Sequence, residues 1–197
     1  MSVSAVTICS NALQELGADS IASFDEGSVN ANRCANLWPQ TRDALLRSHP
    51  WNCCTKRVIL APDVTAPEFD YSYRFAQPAD CLKILQVGEY GVEIDHRLEN
   101  GYILADTNVL RLRYISKVEE PAEWDAMLVD LMTAKMKAKL AYAVTQSASV
   151  AEQAIKEFEM AYRRAKAVDG QDDPPETLGD FRLLGARLSG GRRYFTR

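Results

Sequence analysis

The chain has 197 residues, of which 47% are hydrophobic and 25% charged. That is the balance of a globular protein, not of a collagenous, mucin-like or wholly disordered one, and a domain of this size buries about 70% of the surface its unfolded chain exposes, so no disulfide or metal is needed to hold a core. A formal net charge of −4 argues against a generic nucleic-acid binder, because attraction to phosphates requires a basic surface.

In chain order, the first expected helix spans residues 2–17. Ala5, Ile8, Cys9, Ala12, Leu13 and Leu16 recur at the three- and four-residue steps of one helical face. Ser2 or Ser4 serves as the cap, and Gly17 supplies the left-handed residue that ends a helix. A second helix is expected over residues 28–48, with the stripe Ala31, Cys34, Ala35, Trp38, Arg42, Leu45 and Leu46. Pro39 interrupts its hydrogen bonding, yet the stripe keeps its phase across the proline. One kinked helix is therefore predicted rather than two, ending at His49-Pro50.

The period changes over residues 53–118. Arg57 to Leu60 reads as a strand. Phe69, Tyr71, Tyr73 and Phe75 alternate at period two, which predicts four aromatics on one sheet face packed on helices. Leu82 to Val87 and Val92 to Leu98 follow. Asn100-Gly101 is a hairpin turn, because both residues tolerate positive φ, and Tyr102 to Leu104 is its second arm. The last strand is Val109 to Ile115, where Leu110, Leu112 and Tyr114 oppose Arg111 and Arg113. Short turns between these strands predict an antiparallel meander.

Helix returns at residues 121–144. Pro121 suits a first helical turn, and Glu119 and Glu120 suit its positive end. The stripe is Trp124, Met127, Leu128, Leu131, Ala134, Ala138, Ala141 and Tyr142, with Lys135, Lys137 and Lys139 in the second half. Ser149 and Glu152 form a capping box for a last helix over residues 149–169. Its face carries Ala151, Ala154, Ile155, Phe158, Tyr162 and Ala165, and it stops at Gly170.

The fold class expected is therefore α+β. The N-terminal and C-terminal helix pairs form a helical bundle, with the β-meander as a central insertion and a body at residues 1–170. Residues 171–197 form an extended arm. It begins with Asp172-Asp173-Pro174-Pro175, contains four glycines, and lacks the apolar content to fold alone. From residue 181 onward it holds five arginines and no acid. Arg182, Arg187, Arg192, Arg193 and Arg197, interleaved with leucines and with Tyr194 and Phe195, suit a protein interface better than a bare polybasic tail. The arm is expected to be mobile in the monomer and to order when it docks.

Chemistry-bearing motifs are scarce. There is no phosphate-binding glycine loop, no G-x-S-x-G elbow and no H-E-x-x-H, and no cofactor is expected. His49 with Cys53 and Cys54 is the nearest approach to a zinc site or a Cys–His pair, but zinc takes four ligands and no second ligand pair follows. The alternative is a helix-ending histidine beside two small strand residues. Asp63, Glu68, Asp70, Asp80, Glu89, Glu93 and Asp95 crowd the sheet without singling out one acid for glycosidase chemistry. The aromatic alternation is a base-stacking platform or a core face, and the core is favoured because only Arg74 interleaves it. Five free cysteines and the lack of a basic, then apolar, leader suggest a reducing cytosol. No stretch reaches the ~18 apolar residues of a membrane span.

Several blocks occur in series: Asn11-Ala12-Leu13-Gln14-Glu15-Leu16-Gly17-Ala18; Trp38-Pro39; Arg42-Asp43-Ala44-Leu45-Leu46; His49-Pro50-Trp51-Asn52; Pro78-Ala79-Asp80-Cys81-Leu82; and Trp124-Asp125. Over residues 1–170 this order resembles the tail tubular protein A family of short-tailed bacteriophages and related prophages. The resemblance implies a structural virion protein of the tail and not an enzyme. It implies a head-to-tail adaptor whose copies form a ring, expected to be a dodecamer, between the portal protein and the tail nozzle protein. The genomic DNA passes through that ring without specific binding. It further implies assembly in the host cytoplasm and residence at the head–tail interface, with no membrane partner. The sequence departs from the family pattern at Cys53-Cys54, where an aromatic or alanine is usual, and the arm is not covered. For the arm residues, contact with the portal or a neighbouring subunit is expected from their chemistry alone. An acidic body would repel DNA from channel walls. Two other readings stand beside this one: a cell-wall hydrolase acting in phage entry, and a nucleic-acid-binding module that uses the arm.

Overall fold

The computed structural model of the chain describes residues 3–89 and 94–172. Helix α1 (Ala5–Glu15) starts at Ser4, whose hydroxyl accepts from the Thr7 amide at 3.2 Å. It ends where Gly17 takes φ +74° and the amides of Gly17 and Ala18 donate back to Gln14 and Leu13, so the cap and the stop are those read from the sequence. One fastening was not foreseen. The Ser10 hydroxyl donates to the Ile21 carbonyl at 2.7 Å and accepts from the Ile21 amide at 3.0 Å, tying the connector back onto α1.

Helix α2 (Val29–Ser48) is capped by Ser28 and runs through Pro39 without interruption. Its buried face is Ala31, Cys34, Trp38, Thr41, Arg42, Leu45 and Leu46. Burial of the whole stripe outweighs the hydrogen bond that proline removes. The buried Arg42 guanidinium bonds Asp43 at 2.8 Å and Glu119 at 3.2 Å, and Lys117 reaches the same two carboxylates. A cation inside the stripe is thus neutralised where α2 meets the chain that precedes the third helix.

Six strands follow: β1 (Thr55–Leu60), β2 (Tyr73–Ala76), β3 (Cys81–Val87), β4 (His96–Glu99), β5 (Tyr102–Ala105) and β6 (Leu110–Ser116). They pair antiparallel, as expected, but not as a meander. Two three-stranded sheets form, in the orders β1-β6-β3 and β2-β5-β4. Only β4 and β5 are sequential neighbours, joined at Asn100-Gly101, where both residues have positive φ. The reason is burial. Leu110, Leu112, Tyr114, Ile115 and Ser116 of β6 are all buried, whereas β1 has no buried residue and β3 has only Val87, so β6 takes the centre of its sheet and leaves β1 and β3 at the edges. The inner faces of the two sheets share a core of Phe75, Val87, Ile103, Leu110, Leu112 and Tyr114.

The aromatic alternation is also corrected. Only Tyr73 and Phe75 lie in a strand, and only Phe75 is buried, while Phe69 is 77% exposed. Residues 67–71 form a loop instead. Asp70 sits at φ +68°, a conformation no strand residue adopts.

Helix α3 (Ala126–Thr145) begins later than predicted. Pro121–Glu123 makes one 3-10 turn, Trp124 is extended, and Asp125 caps the helix by accepting from the Met127 amide at 2.7 Å. Trp124 decides this. It turns inward, stacks on Trp38 at 6.1 Å between centroids, and donates its indole N–H to the Val118 carbonyl. The buried side of α3 is also broader than the expected stripe. Met132, Met136 and Leu140 are fully buried, whereas Tyr142 is 59% exposed. α3 lies among α1, α2 and α4 (Ala148–Asp169), so it cannot present one apolar face alone.

The capping box at Ser149 does not form. Gln146 takes a left-handed conformation at φ +54° and closes α3, so Ser147 becomes the cap of α4 and accepts from the Val150 amide. Ile155, expected on the packed face, is 48% exposed, while Phe158 and Tyr162 pack against the core. The helix ends at Asp169, before Gly170.

A second core joins residues of all four helices to Trp51, Cys54 and Ile115. Trp51 is 2% exposed, donates its indole N–H to the Leu45 carbonyl, and meets His49 and Tyr162 edge-on. Trp51→Ala is expected to cost about 3–5 kcal/mol, read as a lower urea midpoint in a two-state denaturation curve.

Candidate functional site

The arm residues singled out from the sequence, Arg182, Arg187, Arg192, Arg193, Tyr194, Phe195 and Arg197, lie outside the described residues. The other candidates can be placed. His49 ends α2 and turns its Nε2 to Asp169 Oδ2 at 3.2 Å. Asp169 Oδ1 accepts from the Asn52 amide at 3.0 Å, and the Asn52 side chain donates to the Asp169 carbonyl at 2.9 Å. This is a clamp between the end of α2 and the end of α4. Cys53 and Cys54 sit in a 3-10 turn (Asn52–Cys54), not in a strand. Their sulfurs are 3.7 Å apart. The bond from Cys54 lowers the Cys53 thiol to about 7, while that bond and burial raise Cys54. Among the described residues, no group of three or more histidine, cysteine or acidic side chains is arranged to hold a metal.

Of the sheet acids, Asp63, Asp80 and Glu89 engage cations, Asp95 accepts from the Tyr71 hydroxyl, and Glu93 lies outside the described residues. Asp63 accepts from the Thr65 amide and from Arg74, and these bonds lower its carboxyl below the usual range. Asp80 bonds Lys56 and Tyr114, each at 3.0 Å. Burial opposes its charge, but the two hydrogen bonds, the Lys56 charge and a backbone bond together outweigh burial and lower it as well.

The outer faces of the two sheets differ in character. In β1-β6-β3, the half nearest the helices is covered: Ile115 belongs to the helical core, and Leu82 and Leu85 pack against it. Arg47 of α2 also donates to the Leu82 carbonyl. The far half is an open groove of about 530 Å³. Strand alternation places Arg57, Ile59, Arg111 and Arg113 on this face, with Arg57 directly opposite Arg113 and Ile59 opposite Arg111. Arg111 bonds Glu89 at 3.1 Å. Arg57 and Arg113 have no ion-pair partner among the described residues, and the buried Arg113 Nε has no acceptor. Ile59 is 66% exposed.

The outer face of β2-β5-β4 is a shallow concavity of about 610 Å³ with the opposite sign. Glu68, Asp70, Asp95, Glu99 and Asp106 line it against Arg74 and Arg97. Arg74 is held by Asp63 and lies 4.5 Å from the Tyr102 ring centroid. The loop bearing Glu68, Phe69 and Asp70 forms one rim. The outward arginines were visible in the sequence as the alternating partners of Leu110, Leu112 and Tyr114. Their pairing with Arg57 was not, because it requires β6 to sit beside β1.

No protein-family model matches the chain, and no curated protein matches it either.

Burial and the Asp80 contact raise the Tyr114 hydroxyl to about 12. In the unfolded chain tyrosine ionises near ~10. The native state therefore holds this proton longer, and its contribution is complete below about pH 10 and lost as pH rises through about 12. Ultraviolet titration of phenolate formation is expected to show late ionisation at Tyr114 that is absent from Tyr114→Phe. Asp80→Asn removes the negative charge and is expected to bring that ionisation earlier.

Proposed function

We propose that the chain is a structural subunit of a phage or prophage tail. It acts as a head-to-tail adaptor of the kind found in the tail tubular protein A family, forming a ring between the portal and the tail nozzle. Its body is a four-helix bundle formed by the helix pairs of its two ends, with the β-layers as a central insertion. The genome passes through the ring without being read.

The observation that carries this reading is where the resemblance-bearing blocks fall. Arg42, Leu45 and Leu46 are buried in α2. His49, Trp51 and Asn52 close α2 onto α4. Asp80 ties the loop before β3 to β6 through Tyr114, and its carbonyl accepts from the Lys117 amide at 2.7 Å. Trp124 stacks on Trp38. The blocks therefore mark the joints between layers rather than a reactive cluster. Shared residues at such places support a shared architecture, and the function follows by analogy with that architecture. A ring subunit needs two complementary faces that close by rotation and no catalytic constellation.

In this reading the arm at 171–197, through Arg182, Arg187, Arg192, Arg193, Tyr194, Phe195 and Arg197, contacts the portal or a neighbouring copy. The adaptor reading is tested by light scattering of the full chain alone and mixed with its portal oligomer. A stoichiometric ring on the portal is expected, and a mixture that elutes as two separate species would refute the reading. Truncation after Gly170 is expected to leave the helical circular-dichroism signal and thermal midpoint near those of the full chain and to weaken portal binding.

A further inference from the structure

The two outer faces of the β-layers carry opposite charge, and among the described residues each lacks a partner that the other could supply. On the β1-β6-β3 face, Arg57 and Arg113 oppose each other across one ladder position. Like charges placed directly opposite are unfavourable, and the buried Arg113 Nε donor has no acceptor among the described residues. A carboxylate lying between the two guanidiniums answers the like-charge placement through charge-assisted hydrogen bonds, whereas the Arg113 Nε, closed to solvent, lies out of reach of an incoming group. Beside them, Ile59 leaves a large apolar side chain in water.

On the β2-β5-β4 face, five carboxylates stand against two arginines, one of which Asp63 already neutralises. At its rim, Glu68-Phe69-Asp70 presents an exposed phenyl ring between two acids. The segment has the chemistry the groove lacks: an apolar ring for Ile59, with a carboxylate on either side for the arginines.

We infer that the basic groove of one copy receives the Glu68-Phe69-Asp70 rim of a second copy, making a heterologous contact between unlike faces. Because both surfaces belong to one β-sandwich, each copy offers one of each, and association continues until rotation closes the chain of copies into a ring. The closure takes the adaptor reading as its premise; the contact itself stands on charge complementarity and the unanswered arginines.

Sedimentation velocity of the full chain at rising concentration and at low and high salt tests this. Wild-type protein is expected to associate at low salt, and added salt to weaken it. Arg57→Ser with Ile59→Ser removes the groove side, and Glu68→Gln with Phe69→Ser removes the rim side. All four side chains are exposed, so circular dichroism of both variants is expected to match wild type. Each variant alone is expected to stay monomeric, and an equimolar mixture to form dimers and nothing larger, because one intact junction remains per pair. A self-matching interface would not be rescued by mixing. Wild type that stays monomeric at low salt and the highest attainable concentration overturns the inference. So do variants that associate like wild type, or a groove that binds duplex DNA through Arg57 without self-association. If both variants still assemble as rings on the portal, this contact falls and the adaptor reading stands. If the mixture gives dimers but wild type ignores the portal, the contact stands and the adaptor reading falls.

Discussion

Strand β6 must satisfy two cores at once, and much of the arrangement depends on that constraint. Leu110, Leu112 and Tyr114 point between the sheets, while Ile115 points into the helical core. The Ser116 hydroxyl, fully buried, donates to the Cys54 carbonyl at 2.9 Å and pins the strand beside the 3-10 turn. β6 is the most buried strand of its sheet and takes the centre, with β1 and β3 at the edges. The same placement brings Arg57 opposite Arg113. The open groove thus follows from how the cores are joined: the helices cover only the half of the outer face that Ile115 reaches.

Local signals were legible in the sequence where a single residue type has one physical use. Ser4, Gly17 and Asn100-Gly101 behave as their chemistry requires, and the α2 stripe survives Pro39 because its burial is worth more than one backbone hydrogen bond. The misses share a cause. Trp124 fits a helical stripe, but stacking on Trp38 draws it out of helical geometry and delays α3 to Ala126. Ser149 and Glu152 have capping-box spacing, but the left-handed Gln146 hands the cap to Ser147. Phe69 and Tyr71 share the period-two pattern of Tyr73 and Phe75, but they lie in the loop before β2 begins. In each case a tertiary contact or a backbone conformation that side-chain periodicity does not encode decided the outcome.

The exposed charged faces were less legible than the core. Arg111 and Arg113 stood out as the polar partners in an alternating strand, yet nothing local distinguished them from a solvated face. What distinguishes them is Arg57 across the ladder, more than fifty positions away, and a cover of helices that stops short. The acidic face combines residues from the 67–71 loop, from β4 and from the chain after β5. No linear motif contains that set.

The clamp at Asp169 has a consequence for how the molecule is made. Asp169 meets His49 and Asn52 across separations of 120 and 117 residues, so helices made early in synthesis wait for almost the whole body before they can be locked. The β4–β5 hairpin closes over a handful of residues and faces no such delay. Contacts between distant residues pay their loop entropy before they return any stabilisation. A chain emerging from the ribosome therefore exposes the inner faces of α1 and α2 until α3 and α4 arrive. During that interval, uncovered apolar helix surface is what a chaperone or another nascent copy would meet.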